Sequence, residues 1–305
     1  MSEKFHWKRL GLFIEPQKDK WWSITHAMIP TPEKIGDGIF RIYYSGRNKN
    51  NQSHITWADV RLNEPYEVLR YSEGPVLSPG DLGCFDDNGV TPSCVIDLEN
   101  GEKALYYIGW NPGSTVRMHL FGGLALSNDG GETFRRYSRA PILERNSTDP
   151  YLNTAPWVVR TRNGYQMYYV SGHEWIHKHL PRYNIKMAHS DDGKYWKRDG
   201  TICIDFKSNL EHALARPYVI YDKGLWKMWF SHKSNGTTYR LGYAESLDGI
   251  QWGRMDRLTG FDISDQGFDD DMVEYAALVR HNGKLFLFYN GNDYGYHGIG
   301  LAVEQ

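Results

Sequence analysis

The chain has no long apolar run, almost no cysteine and no excess of either charge. No stretch reaches the roughly 18 apolar residues that a membrane-spanning helix needs, so no membrane span is expected. The opening Met1-Ser2-Glu3-Lys4-Phe5 lacks the apolar core of a signal peptide. Cys84, Cys94 and Cys203 are the only cysteines; they are an odd number and lack metal-binding spacing. These absences predict a reducing, cytoplasmic setting. A net charge of −2 excludes wholesale nucleic-acid binding, which needs a basic excess. Sustained 3.6-residue periodicity is missing, and with it any phosphate loop at the start of a helix. No cofactor and no metal are expected.

What the chain has is a repeat. Aromatic strands recur as Tyr43-Tyr44-Ser45-Gly46, Tyr106-Tyr107-Ile108-Gly109, Tyr168-Tyr169-Val170-Ser171-Gly172, Trp229-Phe230-Ser231 and Phe288-Tyr289-Asn290-Gly291. Each follows an apolar strand and precedes a small-residue strand. Three turns then read Ser127-Asn128-Asp129-Gly130, Ser190-Asp191-Asp192-Gly193 and Ser246-Leu247-Asp248-Gly249. Inner strands begin near Ala27, Pro92, Pro156, Pro217 and Ala276, in steps of 65, 64, 61 and 59 residues. The second unit reads as strands 90–97, 103–110, 122–127 and 134–137. Four-stranded sheets repeated radially make a β-propeller. The expected fold is therefore all-β, a single five-bladed propeller of four-stranded blades filling residues 1–305. The last unit lacks an outer strand, and the apolar run Trp7–Ile14 is predicted to supply it and close the ring.

In such a ring the lead-in to each inner strand and the loop after each aromatic strand gather at one mouth. The Asp-Gly turns fall on the opposite face and read as structural hairpins. Four of the five lead-ins carry carboxylates, at Asp86-Asp87, Asp149, Glu211 and Asp269-Asp270-Asp271 with Glu274. Recurrence at one structural position suggests function, against chance clustering of surface acids. Glu274 lies between Val273 and Tyr275, an apolar setting that keeps a carboxyl protonated and suits a general acid. Asp87 lies in a polar Gly- and Asn-containing loop and suits a base. Glu211 is the third catalytic candidate, with Asp149 behind it as a substrate contact. Carboxyls on different blades leave room for a water between them, which favours inversion of a glycosidic centre. His26 and Arg216 precede inner strands and could contact substrate. The second-strand loops add Arg47, His54, Arg117, His119, His173, Glu174, His177, Arg182, His232, Lys233 and Arg240, and the last unit adds Asp293, Tyr294 and His297. Arg47, Arg216, Lys233 and Arg240 are the cations available for an anion such as phosphate.

The repeat, the Ser-x-Asp-Gly-x-x-Trp turns at Ser190–Trp196 and Ser246–Trp252, and the carboxylates at inner-strand starts together resemble the five-bladed propellers of the glycoside hydrolase world. The resemblance is to the arabinanase/xylosidase and fructosidase group and the related mannoside phosphorylases. It covers nearly the whole chain as architecture. It implies a carbohydrate-active enzyme that hydrolyses, phosphorolyses or transfers a glycosidic unit, with a small carbohydrate or glycoconjugate as substrate and inorganic phosphate as partner in the phosphorolytic case. The pattern also departs from that group. Trp22 to His26 contains no acid where the first blade should have one, and Asp19 lies further back. The fructosidase Asn-Asp-Pro-Asn and the phosphorylase Arg-Asp-Pro-Arg stretches are absent. A non-catalytic sugar- or protein-binding propeller is the alternative.

Two other motifs carry less weight. Ser127–Phe134 resembles a sialidase Asp-box, which is a structural turn. His173-Glu174-Trp175-Ile176-His177 matches the zinc-protease His-Glu-x-x-His, but that motif works on a helix and this one sits between strands. A loop covering the substrate is the expected role.

Overall fold

The computed structural model describes residues 3–305 and is almost entirely β. Strand β1 (Trp7–Ile14) comes first. Four antiparallel meanders follow. The first is β2 (Thr25–Gly36), β3 (Ile39–Arg47), β4 (Ser53–Arg61) and β5 (Glu67–Tyr71). The second is β6 (Val90–Asp97), β7 (Lys103–Pro112), β8 (Met118–Ser127) and β9 (Arg135–Arg136). The third is β10 (Asn153–Thr161), β11 (Gly164–His177), β12 (Leu180–Ser190) and β13 (Ile202–Ile204). The fourth is β14 (Glu211–Asp222), β15 (Leu225–Ser234), β16 (Arg240–Ser246) and β17 (Gly253–Arg254). The last sheet has β18 (Glu274–His281), β19 (Lys284–Asn290) and β20 (Ile299–Glu304), and β1 pairs antiparallel with β20. Among the described residues no helix is long and apolar enough to cross a membrane.

The aromatic pairs explain how the sheets hold together. Neighbouring side chains on a strand point to opposite faces, so each pair serves both faces of its sheet. All are buried. The first tyrosine reaches the turn of the next sheet. The Tyr106 hydroxyl donates to the Gly193 carbonyl at 2.8 Å, Tyr168 to Gly249 at 2.8 Å, and Tyr43 to Gly131 at 3.1 Å. Each turn is held by its own serine, and Ser190 Oγ accepts the Gly193 N–H at 2.9 Å while bonding Asp192 Oδ1 at 3.0 Å. Gly193 has φ 74°, a left-handed value that glycine adopts without steric cost.

The second tyrosine binds an acid of its own sheet, and an arginine from the outer strand or just before it completes a triad. Asp86 Oδ2 accepts from Tyr107 at 2.9 Å and Arg136 at 2.8 Å. Asp149 Oδ2 accepts from Tyr169 at 2.9 Å and Arg198 at 3.2 Å. Asp269 Oδ2 accepts from Tyr289 at 2.9 Å and from Arg9 at 3.0 Å. In the fourth sheet, where Phe230 replaces the tyrosine, Arg254 binds both oxygens of Glu211 at 2.7 and 2.8 Å. The first sheet has Ser23 in this place. It lies against Gly46, where an added Cβ would come within 2.6 Å of the Ser23 backbone. Arg9 on β1 thus does for the last sheet what Arg136 does for the second. Arg9→Met is expected to cost about 1.5–3 kcal/mol, the range for hydrogen bonds to charged groups. Urea unfolding at neutral pH measures it, and an unchanged midpoint would separate β1 from the triad pattern.

The inner strands β2, β6, β10, β14 and β18 pack successively, and β18 also lies against β2. Four of them carry a left-handed residue at a break in pairing with the neighbouring strand: Ile29 (φ 58°), Ala155 (φ 49°), Arg216 (φ 50°) and Tyr275 (φ 56°). These bulges re-aim side chains at the axis.

Candidate functional site

All four bulge residues line one cavity of about 230 Å³ to which all four meanders and the last sheet contribute. One wall is apolar, with Met28, Ile29, Ile108, Leu120 and Val170. The rest is cationic and phenolic: Arg47, Arg117, Arg216 and Lys233, with Tyr183, Tyr239, Tyr275 and Tyr294. His179, Leu180 and Pro181 reach it from the tip of the β11–β12 hairpin, which the Arg117 N–H ties down by donating to the Lys178 carbonyl at 2.8 Å. The His173–His177 segment is therefore the arm of a hairpin, not a helix or a free loop. Among the described residues no group of three His, Cys, Asp or Glu is placed to hold a metal.

Glu274 sits at the start of β18, immediately behind this wall. It is 0% exposed, and neither carboxyl oxygen has a hydrogen-bond partner. Burial holds it protonated, well above its usual 4.5. The Tyr275 hydroxyl and the Lys233 ammonium favour the charged form, but Tyr275 falls short of hydrogen-bond geometry and burial dominates. The hydroxyls of Tyr183 and Tyr239 bond to each other. Burial also pushes Tyr183 up to about 12, so this layer is neutral at ordinary pH. Arg216 is 1% exposed and donates from Nη2 to the Pro30 carbonyl at 2.9 Å and Thr31 Oγ1 at 3.0 Å. Its Nε and Nη1 are unpartnered, and burial lowers it to about 10.

Of the residues expected at the site, the structure brings Arg47, Arg117, Arg216, Lys233 and Tyr294 to the cavity, with Glu274 behind them. The expected ring of carboxylates does not form there. Asp149 is fully buried and also binds Lys186 at 2.8 Å and Ser171 at 2.8 Å. Burial alone would raise Glu211, yet hydrogen bonds from Arg254, His232 and the Lys207 N–H hold it far below the carboxylate range. His232 is 3.4 Å from Glu211 and faces it rather than the axis. Asp87 accepts from Asn111 at 2.8 Å and from the Gly83 N–H at 2.9 Å, outside the cavity. Arg240 pairs with Asp262 at 2.9 Å, and Glu174 with Arg182 at 3.2 Å. His173 lies edge-on to Phe206. His26 bonds Thr25 at 2.9 Å and is lowered to about 4 by burial and by Arg47. The acids recur because the triads recur. Sequence reasoning missed Tyr183, Tyr239, Tyr275 and His212 as lining residues; the x-Pro step after each of three bulges was the available signal, though it argues against a left-handed residue. Trp21 is 57% exposed and Trp22 lies beside it, so neither plugs the axis.

Comparison with solved structures places the fold. A glycoside hydrolase covers 99% of this chain and 92% of its own at TM-score 0.75 and 19% identity. A thermostable family-43 glycoside hydrolase covers 92% and 89% at TM-score 0.66 and 18% identity. The GH32 beta-fructofuranosidase BmSUC1 of Bombyx mori covers 92% and 62% at TM-score 0.59 and 16% identity. The chain thus has the propeller-like all-β fold of these glycoside hydrolases. No family model matches it. In sequence it is 36% identical over 301 residues to the uncharacterized protein Rv1502 of Mycobacterium tuberculosis strain H37Rv, covering 98% of this chain and 99% of that one. Protein MT1551 of strain CDC 1551 matches at the same identity and coverage. The chain belongs to the family of these mycobacterial proteins.

Proposed function

We propose that this protein is a carbohydrate-active enzyme that cleaves or transfers a glycosidic unit in the axial cavity of a single five-bladed propeller spanning residues 1–305. The relay of inner-strand contacts from β2 through β18 and back to β2 supports the closed ring, as does the place of Arg9 in the last triad. The observation that carries the function is Glu274, a fully buried carboxyl whose oxygens have no hydrogen-bond partner, one tyrosine layer from an open cavity. A carboxyl kept neutral can give its proton to a leaving oxygen. That proton leaves through the hydroxyl of Tyr275, the next residue on β18, once it closes to hydrogen-bond distance of Glu274, taking one proton as it gives one up.

Hydrolysis with inversion needs a second carboxyl about 6.5–9.5 Å away. Among the described residues no Asp or Glu lines the cavity. Phosphorolysis needs only the acid, because phosphate is itself an anionic nucleophile, whereas an acceptor hydroxyl, like water, needs a base to take its proton; phosphorolysis is the better fit. The substrate is a small carbohydrate or glycoconjugate; nucleic acid and membrane play no part, and the setting is cytoplasmic. A screen of aryl glycosides and oligosaccharides, with and without phosphate and with sugar acceptors, tests this. Turnover that depends on phosphate is expected. Full turnover in water alone would restore the two-carboxylate reading.

The lack of a second carboxylate also favours a non-catalytic sugar-binding propeller as a second reading. Sugar binding without turnover in any arm of the screen would establish it.

A further inference from the structure

Elsewhere this protein pairs its buried arginines. Arg41 binds Asp59 and Glu132, and Arg254 binds Glu211 and Asp256. The cavity is the exception. Among the described residues, Arg47, Arg117, Arg216 and Lys233 have no carboxylate within salt-bridge distance. Arg47 donates to Asn51 at 3.0 Å and lies 3.6 Å from the Met28 sulfur. Arg216, almost fully buried, leaves two of its three nitrogens without a partner while lining the cavity. Lys233 has only the Tyr239 ring, 5.6 Å away. Burial, and after it the nearby Arg117 charge, lower Arg47. Arg47, Arg117, Arg216 and Lys233 come from the first, second and fourth meanders and converge without a counter-charge, and for Arg216, almost fully buried, that is costly unless an anion joins them. The volume, about 230 Å³, is below the usual range for drug-sized ligands and suits one sugar ring.

We propose that the cavity binds a monosaccharide-sized ligand bearing a phosphate or carboxylate, with the anion seated among Arg47, Arg117, Arg216 and Lys233. The neutral part of the ring lies against Ile29 and Ile108. The inference rests on the axial cavity being the ligand site and names the chemical class that site takes.

Calorimetric titration with glucose-6-phosphate, glucuronate, inorganic phosphate and glucose tests it, at low and at physiological salt. At least one anionic sugar is expected to bind on the order of tenfold or more tighter than glucose, and more weakly as salt rises. If inorganic phosphate binds as tightly as glucose-6-phosphate, the anion seat stands and its natural occupant is free phosphate. Arg117→Met and Lys233→Met are reachable from solvent and should keep the wild-type melting profile, each losing about tenfold or more in anion affinity. Glucose binding as tightly as every anion, or both variants binding anions as the wild type does, would overturn the proposal. The readout is independent of turnover. Anion binding retained by an inactive wild type keeps the seat and removes the enzyme; glycoside turnover without anion binding removes the seat and leaves Glu274 as the acid.

Discussion

Glu274→Gln is expected to lower turnover by about 10²- to 10⁴-fold, the usual contribution of a general acid, with the fold intact. The amide matches the carboxyl in shape and cannot give up a proton. Stability supplies a second, independent readout. The wild-type carboxyl is held protonated in the fold, above the 4.5 at which the unfolded chain ionises. Between those two values the native state binds one proton more than the unfolded state, so wild-type stability falls as pH rises, by up to about 1.4 kcal/mol per pH unit from this group. Glutamine has no such dependence. The melting temperature of Glu274→Gln relative to wild type should therefore climb from pH 4.5 upward. Parallel melting curves across that window would mean that Glu274 ionises in the fold, and the acid assignment would go with it.

Arg254→Met should produce the largest loss of stability, about 3–5 kcal/mol, because it leaves Glu211 buried without its main counter-charge. Glu211 lies at 4% side-chain exposure and Arg254 at 9%. The sign of the pH effect is opposite to that of Glu274. Glu211 is depressed in the fold, so its stabilisation is present above 4.5 and fades as pH falls towards its folded value. Wild type and variant should differ most at neutral pH and converge in acid. Urea unfolding at two pH values measures this. Adding Glu211→Gln to Arg254→Met should recover part of the loss, since the uncompensated charge is then gone. A double variant no better than the single one would place the cost in the lost packing of Arg254 over Phe230, whose ring centre is 5.1 Å away.

Much of the fold was legible because the repeat is carried by residues with fixed jobs. Strands expected at 90–97, 103–110 and 122–127 correspond to β6, β7 and β8. The edge strand expected at 134–137 shrinks to Arg135–Arg136, since an outer strand has one neighbour and few pairs to define it. The run Trp7–Ile14 is β1, paired as expected with β20. The candidate site was legible only in part. Arg47, Arg216 and Tyr294 followed from which loops face the axis. The acids were harder to place, because a carboxylate repeating at one position is equally the mark of a repeating internal bond, and Asp86, Asp149, Glu211 and Asp269 are bonded that way. Tyr183, Tyr239 and Tyr275 could not be told from the other tyrosines that pack the sheets. What separates them is a bulge or a strand end, and a left-handed residue before proline runs against local preference.

The inner-strand bulges have a consequence for how this scaffold can diversify. Ile29, Ala155, Arg216 and Tyr275 occur where strand pairing is interrupted, so the hydrogen-bond ladders make no demand on which side chain each presents. A left-handed backbone costs about 1–2 kcal/mol for most non-glycine residues, less for Asn and Asp and more for β-branched ones. Swapping one such residue for another changes that cost little and changes the lining of the well directly. Four single-codon substitutions could thus retune what the protein recognises, while the tyrosines and arginines that weld its sheets stay untouched.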